Sequence, residues 1–287
     1  MREASADWLI GANGIYRGKP GEIWTLLGEY RFTVNQILRE PDGSLTVAAA
    51  NGLWRVPEDR SAMWVQLHDE TLTEAMAIAH SPVGTIAGSP YGVAVSAEED
   101  QGIPRWRSLT EHLRVNARFT NVILTDPKDD SRWIVGTEGG IIVGKSNGAN
   151  WAETSLNDTP VRSIIYGRGR FLAATDLKGV VQSDDGLNWE PLGDVISAVY
   201  AIAEAGDSLL VGSEDGMLVM ENDGAFHRTG PRTLTRCLGV DANDPRVWCA
   251  GTDPGGLWMT RDAGVSWRNT GVVSRVRDIV FPEGGKA

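Results

Sequence analysis

The sequence is short of several things, and each shortage removes a class of function. Cysteine occurs only twice in 287 residues, as Cys237 and Cys249, and no CxxC is present, which excludes a cysteine-based zinc site. The four histidines, His68, His80, His112 and His227, lie far apart and form no HExxH. No glycine cluster fits GxxxxGK[ST], so a P-loop is absent. Neither a metal nor a cofactor is expected. Basic residues are the minority: 27 Lys and Arg against 38 Asp and Glu give a formal charge of −11. That is the wrong sign for a nucleic-acid binder. No apolar run approaches the ~18 residues of a membrane helix, so membrane insertion is not expected. The N-terminal MREASADWLIGANG lacks a signal-peptide core, and a cytoplasmic location is the expectation. Tyrosine and phenylalanine are scarce, five of each, beside 11 tryptophans and 34 glycines. Abundant glycine and tryptophan between short apolar runs point to a turn-rich all-β chain.

The chain repeats. An apolar run, a turn, a second run ending in a small residue, a glycine, a third run and a tryptophan-type marker recur throughout. The markers are Trp24, Trp64, Trp106, Trp151, Trp189, His227 and Trp267, spaced 38 to 45 residues apart. This is the period of a four-stranded propeller blade. A glycine precedes each marker: Gly14, Gly52, Gly92, Gly140, Gly179, Gly216 and Gly256. Each unit opens with an apolar strand: 34–38, 72–78, 119–124, 161–166, 198–203, 234–240 and 276–281. The last of these follows the seventh marker, whereas the first unit begins at its second strand, DWLIGANG. The C-terminal strand, about 274–281, must therefore complete the N-terminal blade, since an open ring leaves unpaired strand edges. The expectation is one domain over 1–287: an all-β, seven-bladed propeller of four-stranded antiparallel blades, closed by its C-terminal strand.

A second pattern lies before several markers. Thr260-Arg-Asp262-Ala-Gly264-Val-Ser266-Trp267 fits S/T-x-D-x-G-x-S/T-W, and Gln182 to Trp189 keeps Asp184, Gly186 and Trp189. The remaining units are degenerate: Lys19 stands for the Asp in the first, Ser61 for the Gly in the second beside Asp59, Ser146 for the Asp in the fourth, and Asn222 for the Asp in the sixth. The third keeps only Trp106. This pattern resembles the Asp-box, or BNR, repeat of sialidase-like propellers, and the resemblance spans essentially the whole chain. It implies a structural turn between third and fourth strands, on the face opposite the functional site. A short carboxylate accepts backbone N–H bonds in a tight turn, glycine allows an otherwise resisted conformation, and the tryptophan seals the gap between blades. All 11 tryptophans occupy repeat positions: six are markers, Trp8, Trp133 and Trp248 lie on second strands, and Trp54 and Trp258 on third strands. A sugar-stacking platform is not needed to explain their number.

Function is then sought on the loop face. The loops between second and third strands carry Glu138, Asp176, Glu214 and Asp253. Near the start of the inner strands lie Glu74, Asn121, Tyr200, Arg236 and Asp278, with Arg162 and Arg277 in the neighbouring register. One of these two registers should line the channel mouth, because strand side chains alternate. Such polar groups can serve solvation alone. Alternatively, Arg118, Arg162, Arg236 and Arg277 form a cup that clamps a carboxylate or phosphate, and Glu74 and Asp278 act as acid and base. The longest loop, RSLTEHLRVNARF, carries Glu111, His112, Arg114 and Arg118 and can form a raised rim. Cys237 and Cys249 flank Asp241-Ala-Asn-Asp-Pro245. A symmetric hairpin there would set them opposite each other, so both a cross-strand disulfide and two buried thiols are open.

The economy of the loops favours a non-catalytic scaffold binding a protein partner or larger assembly. The chain also looks like the photosystem II assembly-factor type of BNR-like propeller, which implies a compact ring used as a protein-binding surface. The alternative is a glycan-active enzyme of glycoside-hydrolase type, or a carbohydrate-binding module. The sialidase pattern implies an Arg-Ile-Pro-like motif and a Tyr/Glu nucleophile pair. Here YRFTVNQ offers Arg31 without that motif, and Tyr200 and Glu74 fall on non-adjacent blades.

Overall fold

The computed structural model describes residues 7–28, 30–57, 63–100, 103–194, 197–221, 224–271 and 275–282. The degenerate turn residues Asp59, Ser61 and Asn222 lie outside them. Seven separate four-stranded antiparallel sheets follow one another along the chain. Inner strands touch inner strands of neighbouring blades, which wraps the sheets into a ring. Ring closure is as expected from the mismatched ends. Asp278–Val280 pairs with Trp8–Ala12 through Leu9 with Val280, Ile10 with Ile279 and Gly11 with Asp278. The closing strand is short, so its joint is supported by side chains. Phe281 packs on Trp8 with centroids 4.3 Å apart.

The second strands explain the apolar runs. In Leu45–Ala49, for example, every residue is buried, because both sheet faces are covered by neighbouring blades. The core is accordingly divided into clusters between blades. One joins Ile86 and Val93 of blade three to Trp133 and Ile142 of blade four. The inner strand of blade three departs from the expected 72–78 and runs Ala77–Ser81. An Asp69 turn, in which Asp69 Oδ1 accepts the Thr71 amide, occupies the preceding residues.

The tight turns are as chemically argued, with two shifts of register. In blade seven, Asp262 Oδ1 accepts the Thr260 hydroxyl and the Ser266 amide, and Trp267 Nε1 donates to the Gly264 carbonyl. Gly264 has φ +86°, where a side chain would be strained. In blade five the turn acceptor is Asp185 rather than Asp184. Asp185 Oδ1 accepts the amides of Leu187 and Asn188 and the Ser183 hydroxyl. Asp184 is 85% exposed and lies 3.7 Å from Arg170. This turn is one residue shorter between its carboxylate and its tryptophan, so alignment on Gly186 and Trp189 picks the wrong aspartate. In blade six the sealing aromatic is Phe226, not His227. Phe226 packs against Gly193 of blade five as Trp267 packs against Gly230 of blade six, while His227 is exposed.

Among the described residues blade three has no such turn. Its third and fourth strands run on as a hairpin, Gly92–Asp100 and Ile103–Ser108, with a bulge between Ser96 and Glu99. The long outer edge is blunted: Pro104 has no amide hydrogen, and the Trp106 amide donates to Asp69 Oδ2 at 3.0 Å. Both cysteines are free thiols. Cys237 pairs with Gly251 and Cys249 with Gly239, two residues out of register for facing each other. Burial, and for Cys237 next the charge of Asp278, pushes both thiols well above the ordinary range. Among the described residues no helix is long and apolar enough to cross a membrane.

Candidate functional site

The mouth of the channel is built by one repeated backbone irregularity. Five inner strands carry a bulge immediately after their first ladder pair, and the extra residue is Asn35, Asn121, Arg162, Tyr200 or Arg236. Met76 and Arg277 hold the same place in the other two blades, directly before Ala77 and Asp278. A bulge releases its residue from the ladder and re-aims the side chain. The result is a ring of seven positions, and at two of its junctions neighbouring side chains meet across blades. Asn35 Nδ2 lies 3.7 Å from Met76 Sδ, and the Arg236 guanidinium stands over the Tyr200 ring at 5.5 Å. The mouth therefore draws on both expected registers, Arg162 and Arg277 from one and Asn121, Tyr200 and Arg236 from the other, because the bulge does not keep a fixed distance from the apolar pair.

A second tier comes from the loops between second and third strands. Glu138, Asp176, Glu214 and Asp253 occupy equivalent positions, each donating its amide to the residue just ahead of an inner strand: Phe119, Pro160, Ala198 and Leu234. Their side chains meet the bulge residues unequally. Arg162 reaches Asp176 with two nitrogens, at 2.9 and 2.5 Å, and Glu138 at 2.5 Å. Glu138 also accepts from Asn121 Nδ2 at 2.9 Å. Burial pulls the Arg162 guanidinium down, but these carboxylates more than offset it, and its pKa stands above the usual arginine value. This side of the mouth is electrically satisfied.

The opposite side is not. Asp253 receives Arg236 at 3.3 Å and Arg275 at 3.2 Å. Arg277 lies close enough that burial, and next the charge of Arg236, hold its pKa below the ordinary arginine value, with Asp253 opposing. Two guanidiniums thus share one carboxylate, and Arg277 adds a third positive charge beside them. Blades two and three contribute no charge at the bulge positions, Asn35 and Met76.

The other sequence candidates are dispersed. Glu214 Oε1 accepts the Ala198 amide at 3.4 Å. The long loop forms a rim with a single helical turn, Val115–Arg118, in which Arg114 pairs with Glu153 at 2.9 Å and Arg118 donates to the Glu111 carbonyl at 3.1 Å. His112 belongs to this same rim. Glu74, Tyr200 and Asp278 stand on blades three, six and one. Asp278 is half-buried, its Oδ2 accepting the Ile37 amide and its Oδ1 its neighbour's, Ile279. Residues that sequence reasoning did not raise to site candidates are Arg275 and Gln36. Gln36 Oε1 accepts the Ile78 amide of the next blade. Among the described residues no cluster of His, Cys, Asp and Glu could hold a metal ion.

No protein-family model and no curated protein matches the chain. Solved structures do. The chain is similar to the extracellular domain of a protein described as a one-component system from B. thetaiotaomicron, at 15% identity and TM-score 0.65, over 82% of this chain and 33% of that one. It is similar to an ancestral GH74 enzyme, at 16% identity and TM-score 0.64, over 98% of this chain and 40% of that one. A chain of the nidogen/laminin complex aligns at 13% identity and TM-score 0.57, over 80% and 96%. At such identities the likeness is one of fold. The chain spans between a third and two fifths of the first and second of these proteins.

Proposed function

We propose that this propeller is a non-catalytic interaction scaffold that receives an acidic segment of a protein partner at the channel mouth. The observation that carries this reading is the sharing of Asp253 by Arg236 and Arg275, with the charge of Arg277 beside them. An incoming carboxylate would complete the charge balance that Arg162 already has from Asp176 and Glu138. Tyr200, stacked under Arg236, adds an aromatic wall. The turns of blades five and seven support placement in the Asp-box class. Their carboxylates are spent on turn amides and hydroxyls, away from the mouth. The glycan-active alternative needs a pair of available carboxylates some 5–10 Å apart. At this mouth Glu138, Asp176 and Asp253 are engaged by arginines, and Asp278 by backbone amides, so no observation favours it.

The test is binding of a fluorescent Asp/Glu-rich peptide to the whole chain, repeated with an Arg236→Ala, Arg277→Ala variant. Co-purification from the native host with both forms runs alongside. The expected outcome is salt-sensitive binding that the double variant loses. Equal binding by both forms, or an identical set of co-purifying proteins, overturns the reading.

A further inference from the structure

On the face opposite the mouth, the blades close against each other through their tight turns. Gly148 of blade four packs on Leu109, Gly186 of blade five on Arg132 and Ile134, and Gly264 of blade seven on Thr229, in each case onto the preceding blade. Blade three replaces that turn by its long hairpin. Among the described residues, a groove of about 440 Å³ lies between blades two and three. That volume lies within the usual range for small-molecule sites.

What the groove exposes follows from a comparison with blade four. There Asp126 ends the inner strand and pairs with Arg132 at 2.6 Å. Arg132 in turn donates to the Asp185 carbonyl of the next blade's turn. In blade two Glu40 holds the place of Asp126, six residues after the strand's first ladder residue. The place of Arg132 is taken by Ser44, and among the described residues no turn lies above. Glu40 Oε1 accepts the Thr46 hydroxyl at 2.5 Å, and Oε2 lies 3.4 Å from His80 Nε2. Among the described residues, no arginine or lysine forms an ion pair with Glu40. Asp42, also in the lining, is tied to Ser44 and feels the charge of Arg55, so those two charges oppose each other. Among the described lining residues, the carboxylate of Glu40 is left as the net charge, beside the apolar Leu53 and Leu67.

We propose that this groove binds a small organic cation, a guanidinium or ammonium compound. Its charged end sits on Glu40 as Arg132 sits on Asp126, and its carbon chain lies over Leu53 and Leu67. The site is independent of the mouth and of the partner assigned to it.

The experiment is calorimetric titration of the whole chain with agmatine and putrescine, against glucose, glutamate and a capped Gly-Arg-Gly peptide. The expected result is saturable binding of the two amines, without binding of glucose or glutamate. Glu40→Gln should weaken it about tenfold or more, and Arg277→Ala should leave it unchanged. Thr85→Phe fills the groove from blade three and should abolish binding. It serves as the second probe if Glu40→Gln fails to fold. Absence of heat with both amines, binding that survives both groove variants, or equal binding of glucose overturns the proposal. Tighter binding of the capped peptide than of agmatine assigns the groove to a protein side chain, and overturns it as a small-molecule site.

Discussion

Asp278 Oδ2 accepts the amide hydrogen of Ile37 at 2.6 Å, across the joint between the first and second blades. The same carboxylate belongs to the three-residue strand that closes the ring. Burial pushes its pKa from 3.8 up to about 6, against the pull of the Ile37 and Ile279 amides. A carboxyl whose folded value is raised stabilises the fold most when protonated. Its contribution is complete below pH 3.8 and is lost as pH rises through 6. Asn keeps an acceptor for Ile37 and carries no charge. The stability advantage of Asp278→Asn over the natural chain should therefore grow between pH 4 and pH 7.5, by up to about 3 kcal/mol. Urea unfolding at both pH values measures it. A constant difference would mean that the carboxyl is ionised throughout.

Phe226 fills the gap toward blade five at Gly193, in the place that repeat alignment gives to His227. Truncating a partly buried aromatic removes its contacts and leaves a void between blades. Phe226→Ala should cost about 2–3 kcal/mol, and His227→Ala, at an exposed position, less than about 0.5 kcal/mol. Equilibrium unfolding of the two variants compares them directly. The reverse ranking would restore histidine as the marker.

Asp185 and Asp184 make a parallel pair. The carboxyl of Asp185 is held far below the usual range, first by the Asn188 amide and then by that of Leu187. Asp184 points to solvent. Asp185→Ala should lower the melting midpoint by about 2–4 °C and Asp184→Ala should leave it unchanged, as read by circular dichroism.

These two pairs show where sequence reading stopped. The period of the repeat, the all-buried second strands and the borrowed C-terminal strand were legible, because each rests on spacing or on hydrophobic runs that no local detail can alter. Asp184 and His227 were misplaced because turn length varies by one residue between blades, and a turn changes length without changing its composition. The mouth was half legible. Arg162, Arg236 and Arg277 could be named from position, but the bulge that selects their register leaves no mark in the sequence. Their unequal share of carboxylates depends on which blades meet. Glu40 was invisible as a site residue, since what lies beside it is set by the next blade and not by its own strand.

Gly239 and Phe281 provide a test of how the closing segment is held. A Cβ placed on Gly239 would meet the Phe281 ring at 2.5 Å, with Ile279 at 3.6 Å behind it. The ring cannot retreat freely, because Trp8 lies against it with centroids 4.3 Å apart. Gly239→Ala should therefore destabilise the propeller by about 1–3 kcal/mol through overpacking. Phe281→Ala should also destabilise it, by loss of the Trp8 contact. If the clash is the cause, the two costs are not additive: with the ring gone, the added methyl group finds space. The double variant should be more stable than the sum of the single effects implies, by about 1 kcal/mol or more. Additive effects would place the cost of Gly239→Ala in its own strand, and would leave the Phe281 seat without a role in ring closure.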